Sequence, residues 1–110
     1  MVPERRRGPG VSAMWETKWV IRCALSRICG SCTESLGRPV AFLGTREEVA
    51  RNAFHAPPMH VACAEEMLRS DDADRDWRLV LTSGFEFVRP TREDVDRRPT
   101  FQPNSLLSAT

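Results

Sequence analysis

The chain has 110 residues, with 16 Lys and Arg against 15 Asp and Glu, a formal net charge of +1 and 41% hydrophobic residues. This length predicts at most one domain, and the nearly neutral charge argues neither for nor against a nucleic-acid partner. No run of about 18 apolar residues exists, so no transmembrane helix is predicted. The first residues also lack the apolar segment of a secretory signal. We therefore expect a cytoplasmic protein with no membrane partner.

The first 13 residues predict a disordered basic arm. They contain three consecutive arginines, Arg5 to Arg7, followed by Gly-Pro-Gly, and they show no apolar periodicity. Three arginines are fewer than a typical basic tract, so a solubilising tail is favoured over a phosphate-binding arm. Residues 14–89 are expected to form one zinc-binding domain. Residues 90–110, which are charged and interrupted by proline, are expected to form a flexible tail.

The segment 14–28 has an ambiguous period. Its apolar residues largely alternate with polar ones, as on a half-buried strand, yet Trp15, Trp19 and Cys23 also recur at the four-residue spacing of a helix. The absence of Gly and Pro favours the helix. Cys23 lies on the apolar side in both cases, and we interpret it as a small buried hydrophobic residue rather than as a metal ligand.

Two short-spaced pairs of metal-ligand residues stand out in the centre of the chain. Two residues separate Cys29 from Cys32, and after 27 further residues the same spacing recurs in His60 and Cys63. Two such pairs around a mid-length insert are the usual sequence sign of one tetrahedral zinc site, here of three cysteines and one histidine. We predict that Cys29, Cys32, His60 and Cys63 bind one structural Zn²⁺ per chain.

Each pair predicts its own local structure. Gly30 permits the tight turn of a zinc knuckle between the first two cysteines. Beyond the double proline, residues 60–68 have helical spacing, which places both ligands of the second pair on the first turn. Three apolar side chains share that helical face: Ala64, Met67 and Leu68. His55 is the only other histidine, and His60 is preferred as a ligand because its spacing to Cys63 matches a helical turn.

The insert between the ligand pairs predicts a β-hairpin. Residues 38–44 read as a short strand closed by glycine, residues 45–48 as a polar loop or helical turn, and residues 49–54 as the return towards the metal. A knuckle, a hairpin and a helix whose first turn completes the site form a treble-clef-like arrangement.

A second β-hairpin is predicted after the ligand helix. Residues 77–82 and 85–88 alternate in polarity around Ser83-Gly84. Phe85 and Phe87 share one face, which we expect to cover the apolar stripe of the ligand helix. The predicted fold is therefore a small α+β zinc-stabilised domain, treble-clef-like, with an additional C-terminal β-hairpin.

Zinc would supply stability that a chain of this size lacks. A globular part of roughly 75 residues falls in the range where natural domains commonly add disulfides or a metal. Structural zinc contributes an apparent ~10–16 kcal/mol, comparable with the ~5–15 kcal/mol stability of a whole domain. In a reducing cytosol four cysteines are expected to serve as ligands and free thiols rather than as disulfides.

Several short strings lie in and around the ligand pairs: Lys18-Trp19, Arg27, Cys29-x-x-Cys32, Leu36-Gly37-Arg38, Ala41-Phe42 and Pro58-Met59-His60-x-x-Cys63-Ala64-Glu65. In these strings the chain resembles a group of small, mostly uncharacterised zinc-binding proteins of actinobacteria and their phages. The resemblance covers about half of the chain. It implies that both pairs are zinc ligands, and it brings no established reaction. Members of the group often carry a further Cys-Pro after the ligand helix, where this chain has Arg69-Ser70.

Four kinds of function use cysteine and histidine patterns related to this one. Four protein ligands close the coordination sphere, so we predict a non-enzymatic zinc module, a zinc-finger type of domain, that mediates macromolecular interaction. A protein partner is favoured over nucleic acid because no basic helix face is present. A thiol–disulfide oxidoreductase using Cys29 and Cys32 lacks its strand–helix context. A zinc hydrolase or deaminase needs an open metal position, and a histidine–metal finger endonuclease would rest on His55 as general base. No catalytic residue and no small-molecule substrate are predicted.

Overall fold

The computed structural model describes residues 16–71 and 73–109. The predicted basic arm, residues 1–13, and the first two residues of the predicted helical segment lie outside the described residues. No helix in the described ranges is both long and apolar enough to cross a membrane. The elements in chain order are α1 (Thr17–Ser26), β1 (Val40–Gly44), α2 (Arg46–Arg51), α3 (Val61–Leu68), β2 (Arg78–Thr82), β3 (Phe85–Val88), β4 (Thr100–Pro103) and β5 (Leu106–Ala109).

The strands form two antiparallel sheets. One has three strands in the order β1-β2-β5, and the other pairs β3 with β4. In the first sheet Val40 lies opposite Thr82 and Gly44 opposite Arg78. Strand β1 is buried along its whole length, which agrees with its continuous run of apolar residues.

Helix α1 confirms the helical interpretation of residues 17–26. Val20 and Cys23 are three residues apart, share one helical face and are both buried. The helix ends at Arg27, whose φ of 50° is left-handed and whose backbone N–H donates to the carbonyl of Cys23. The chain therefore turns sharply just before the first ligand pair.

The predicted hairpin between the ligand pairs is wrong in its second half. Residues 46–51 form helix α2, which begins with a capping box: the Thr45 side chain accepts from the Glu48 backbone, and the Glu48 side chain accepts from the Thr45 backbone. Strand β1 pairs instead with β2, which is distant in sequence. The helical-turn alternative for residues 45–48 agrees with the structure.

The predicted C-terminal hairpin is also wrong, although both of its strands exist. Strands β2 and β3 belong to different sheets. The residues around the turn bond to the C-terminal segment: the Ser83 backbone donates to the Ser105 carbonyl at 3.0 Å, and the Asn104 backbone donates to the Gly84 carbonyl at 3.1 Å. The C-terminal segment thus pairs with both strands, β5 with β2 and β4 with β3, so β2 and β3 do not pair with each other.

Residues 100–109 form strands β4 and β5, which differs from the flexible tail expected for residues 90–110. Phe101 is completely buried. Its backbone exchanges two hydrogen bonds with that of Phe54, at 2.7 and 2.9 Å. Burial of one aromatic ring is worth a few kcal/mol, which offsets part of the entropy of ordering the segment, about 1–2 kcal/mol per residue.

The interior has two clusters. The first surrounds the ligand pairs and contains Ala41, Leu43 and Met59 besides Ala64 and Met67 of α3, so the predicted apolar stripe of the ligand helix is confirmed at Ala64 and Met67. The second cluster is aromatic and is built around Phe42, Phe54 and Phe101.

Phe85 and Phe87 do share one face of their strand, as predicted, but they pack on the aromatic cluster. The ring centroids of Phe87 and Phe101 are 5.0 Å apart, and those of Phe85 and Phe42 are 5.5 Å apart. The expectation that they cover the stripe of the ligand helix is wrong, because the aromatic partners come from β1, from residue 54 and from β4.

Candidate metal centre

The first ligand pair forms a tight loop around a buried sulfur. The Sγ of Cys29 accepts hydrogen bonds from the backbone N–H groups of Ser31 at 3.4 Å and Cys32 at 3.5 Å. Two backbone bonds close the loop, from Cys29 to the Glu34 carbonyl and from Thr33 to the Cys29 carbonyl. Thr33 adopts the left-handed conformation, with φ 69°. Donors aimed at a sulfur favour its thiolate form, which is the metal-binding form.

The second ligand pair is fixed against the first by backbone bonds. The N–H of Gly30 donates to the carbonyl of Pro58 at 2.8 Å, and the indole N–H of Trp19 donates to the carbonyl of Gly30 at 3.2 Å. Next along the chain, Met59 exchanges two backbone bonds with Ala41 of β1, at 2.8 and 2.9 Å. Helix α1, the sheet and the double-proline segment therefore all meet at the knuckle.

Helix α3 presents the remaining two side chains. His60 is its N-cap residue, with extended backbone angles, and Cys63 lies on its first turn. The backbone N–H of Ala64 donates to the His60 carbonyl at 3.0 Å. Both ligand side chains are half-buried, whereas Ala64 and Met67 below them are buried. The structure thus places both candidate ligands at the start of a helix, Cys63 on the first turn as the sequence predicts and His60 one position before it.

The structure brings all four predicted site residues together. Their ligand atoms lie within 4.8 Å of one another. The Nδ1 of His60 is 3.3 Å from the Sγ of Cys32 and 3.9 Å from the Sγ of Cys63. Tetrahedral zinc bonds of about 2.3 Å to sulfur and about 2.0 Å to nitrogen put the sulfur and nitrogen atoms about 3.6 Å apart. The two observed distances bracket that value, so the placement of the His60 nitrogen relative to these two sulfurs is compatible with a tetrahedral metal ion.

The imidazole of His60 is held in the orientation and tautomer that a metal requires. Its Nε2 lies 2.8 Å from the carbonyl oxygen of Ser35. A carbonyl only accepts, so Nε2 carries the hydrogen, which leaves the Nδ1 lone pair free towards the three sulfurs. Outer hydrogen bonds of this kind orient and strengthen histidine ligands in metal sites.

The thiol pKa values reflect three sulfurs in one small volume. Burial raises the pKa of Cys63 to about 12, helped by the neighbouring Cys29 charge. Burial also raises the pKa of Cys32. Burial opposes ionisation of Cys29 too, but backbone donors from Cys32, His60 and Ser31 outweigh it and lower the pKa of that thiol. A divalent cation would offset the mutual repulsion of three thiolates at this point.

Cys23 and His55 lie outside the cluster. Cys23 is completely buried on α1, and burial raises its pKa to about 12, so its interpretation as a small hydrophobic residue agrees with the structure. None of the four cysteines forms a disulfide.

Sequence reasoning missed the surroundings of His55, the histidine considered as a replacement ligand. Its two ring nitrogens lie 2.7 Å from a Glu48 oxygen and 3.3 Å from an Asp96 oxygen. The Thr45-x-x-Glu48 capping box was the one short sequence motif that indicated the position of Glu48. Asp96 is remote in sequence, so no local motif predicted its contact with His55.

No protein-family model, no curated protein and no solved structure matches the chain. Fold and site together define a small α+β domain with a Cys₃His cluster that could hold a metal ion. Between the ligand pairs the chain runs through a strand and a helix rather than through a local hairpin.

Proposed function

We propose that the chain is a zinc-binding module whose single Zn²⁺ is structural. The observation that carries this proposal is the closed donor set of three sulfurs and one imidazole nitrogen within 4.8 Å. Four protein ligands complete a tetrahedron and leave no position for a substrate or an activated water. The Ser35 carbonyl and the knuckle amides support the ligands from outside, as expected of a permanent site.

The module acts through the surface that its metal stabilises, and we favour a protein partner. Several large apolar side chains are exposed: Leu25 at 73%, Val95 at 99%, and Leu106 and Leu107 at about 60%. These side chains offer apolar surface to a protein partner, and a contiguous exposed apolar patch is the usual mark of such an interface. With a net charge of +1, the chain lacks the strongly basic footprint of most nucleic-acid binders. A nucleic-acid-binding zinc protein is the alternative.

The proposed module is not an enzyme. Thiol–disulfide exchange starts with attack by an accessible thiolate. The pKa of the Cys29 thiol is lowered, as such a nucleophile requires. Cys29 is nevertheless completely buried. This burial argues against the oxidoreductase alternative. A reducing compartment such as the cytoplasm, which we expected from the sequence, would keep all three thiols available to zinc.

Substitution by Co²⁺ tests whether the metal site is closed. Co²⁺ takes the same ligands and reports its geometry by visible absorption, so we expect intense tetrahedral bands and strong sulfur-to-metal charge transfer. Added azide should leave the spectrum unchanged, because no exchangeable position exists. A spectrum that shifts saturably with azide would indicate an open, catalytic type of site and would contradict the proposal.

A binding assay distinguishes the two kinds of partner. The zinc-loaded chain is titrated into fluorescent duplex DNA and single-stranded RNA at about 50 mM salt, where electrostatic binding is strong. The protein-partner proposal predicts no saturable binding at micromolar concentration. Saturable binding whose affinity falls steeply with salt would favour the nucleic-acid alternative.

A further inference from the structure

A second polar site lies outside the metal centre. It is a cleft of about 310 Å³ between the end of α2, the end of β3 and the segment before β4. We call it the arginine cleft. Its lining includes three arginines from three separate segments together with a buried histidine and two polar groups: Arg51, His55, Arg89, Asp96, Arg98 and Gln102.

The Asp96 carboxylate occupies the mouth of this cleft. One of its oxygens lies 3.3 Å from the Nε2 of His55. Arg98 donates two side-chain hydrogen bonds to the same carboxylate, from Nε at 3.0 Å and from Nη2 at 2.8 Å. The Asp96 side chain is nevertheless 45% exposed, so solvent reaches it. An imidazole and a guanidinium fork are therefore already directed at one negative group at the mouth of the cleft.

The His55 ring is fixed in place by the group behind it. Its Nδ1 lies 2.7 Å from an oxygen of Glu48, and both side chains are nearly buried, at 8% and 13% exposure. The two ring nitrogens therefore face carboxylate oxygens on opposite sides, Nδ1 inwards to Glu48 and Nε2 into the cleft. The Glu48 carboxylate is itself held by the backbone of Thr45 and of His55. The imidazole at the base of the cleft is thus pre-organised.

Two further guanidinium groups at the cleft lack a carboxylate. Within residues 16–71 and 73–109, neither Arg51 nor Arg89 forms an ion pair. The guanidinium carbon of Arg89 lies over the ring of Phe87, 5.9 Å from its centroid. The lining holds three arginines against the carboxylates of Asp94 and Asp96, and Asp94 accepts from the backbone of Thr91. The cleft therefore carries more positive charge than its own carboxylates neutralise.

We propose that the arginine cleft binds a small phosphate monoester, whose phosphate takes the place of the Asp96 carboxylate. A phosphate dianion carries more charge than the carboxylate it displaces, and its oxygens point in several directions. It can accept from His55 and Arg98 and also reach the unpaired arginines, whereas a planar carboxylate is satisfied by one fork. A cleft of about 310 Å³ is near the lower limit for small-molecule pockets, which suits one small phosphorylated molecule.

The test uses the two histidines as internal reporters. The zinc-loaded full chain is titrated with glycerol phosphate, inorganic phosphate and acetate, and the ring resonances of His55 and His60 are followed by NMR. We expect glycerol phosphate to shift the His55 signals saturably, with a dissociation constant below about 1 mM, and to leave His60 unchanged. Inorganic phosphate should bind more weakly than the monoester, and acetate more weakly than either.

Variants identify the groups that hold the ligand. Arg89→Ala and Arg51→Ala should each weaken binding by about three- to tenfold, since each removes one charge-assisted contact. Asp96→Asn should strengthen it, because the competing negative charge is gone. Arg75→Ala is the matched control: Arg75 is exposed and lies outside the cleft, so the affinity should not change. Circular dichroism verifies that each variant is folded.

Three results would overturn the proposal. The first is a His55 response to the monoester that does not saturate, or whose dissociation constant exceeds about 1 mM. The second is an equal loss of affinity in Arg75→Ala and Arg89→Ala, which would show a general charge effect. The third is binding of acetate or of inorganic phosphate as tight as that of the monoester, which would assign the cleft to a different anion.

Discussion

The backbone N–H of Gly30 donates a 2.8 Å hydrogen bond to the carbonyl of Pro58. This bond joins the two halves of the candidate metal centre, because Gly30 lies between the two cysteines of the first pair and Pro58 lies two residues before His60. Both residues are buried, so the bond is protected from water and stronger than an exposed one. The folded chain thus holds the two ligand pairs together through its backbone as well as through any bound metal.

Mutation of the two histidines should affect zinc affinity differently. His60→Ala removes a ligand whose Nδ1 faces the sulfurs of Cys32 and Cys63, and we expect zinc affinity to fall by more than about 100-fold. His55→Ala should keep one zinc with unchanged affinity, since its ring bonds to Glu48 and Asp96. Competition with a chromogenic chelator measures both affinities. Equal loss of zinc in the two variants would contradict the assignment of His60.

Zinc affinity should rise steeply with pH. Burial raises the pKa of the Cys63 thiol to about 12 and also raises that of Cys32, so both are protonated in the zinc-free chain near neutrality. Zinc must displace these protons, and each proton released adds about tenfold in apparent affinity per pH unit. Two or more protons therefore predict at least about a 100-fold gain between about pH 6 and about pH 7. Chelator competition at several pH values measures the slope, and a slope of tenfold or less would contradict thiolate ligation by both cysteines.

Gly44 should be intolerant of any side chain. A Cβ at this position would lie 2.6 Å from the Cε2 of Phe54 and 2.8 Å from a carboxylate oxygen of Glu48. Phe54 is only 1% exposed, so its ring cannot move away, and Gly44→Ala should cost about 1–3 kcal/mol of unfolding free energy.

Gly37 offers the matched control for that substitution. A Cβ there would meet nothing within 4 Å, so Gly37→Ala should change the unfolding free energy by less than about 0.5 kcal/mol. Urea denaturation of the zinc-loaded proteins compares the two variants. Similar stabilities would show that the packing around Gly44 is looser than described.

Phe101 should be essential to the aromatic cluster. Its ring is completely buried and lies 5.6 Å from that of Phe42 between centroids. Phe101→Ala should therefore cost about 3–5 kcal/mol. Val95 precedes it in the same part of the chain and is 99% exposed, so Val95→Ala should stay within about 0.5 kcal/mol of the original. Thermal unfolding checks both, and a mild effect of Phe101→Ala would support the flexible tail expected from the sequence.

The features that could be predicted are those that depend on short stretches of sequence. The spacings of Cys29 to Cys32 and of His60 to Cys63 each bring two side chains to one side of a single turn, so the four residues of the cluster were recognisable as candidate ligands without any long-range information. Helix α1 could be predicted because Trp19 and Cys23 recur at helical spacing in a segment without Gly or Pro.

The features that could not be predicted depend on which distant segments pair. The Ser83-Gly84 turn signals a reversal of the chain, but it does not show that β2 pairs with β1 and β5 while β3 pairs with β4. A single phenylalanine in a polar segment likewise gives no periodicity, so Phe101 carried no sign of its burial. Helix α2 is different: Thr45-x-x-Glu48 is a capping-box sequence, a local signal that predicts a helix, although residues 49–54 were interpreted as a return strand.

The most direct test of the structural metal is native mass spectrometry combined with circular dichroism, on the original chain and on Cys32→Ser, before and after chelation. We predict one zinc ion per original chain, loss of helical signal when the chelator removes it, and neither bound zinc nor a folded spectrum in Cys32→Ser. A folded, metal-free chain that contains a Cys29–Cys32 disulfide would contradict a structural zinc site and would make thiol redox chemistry the leading explanation.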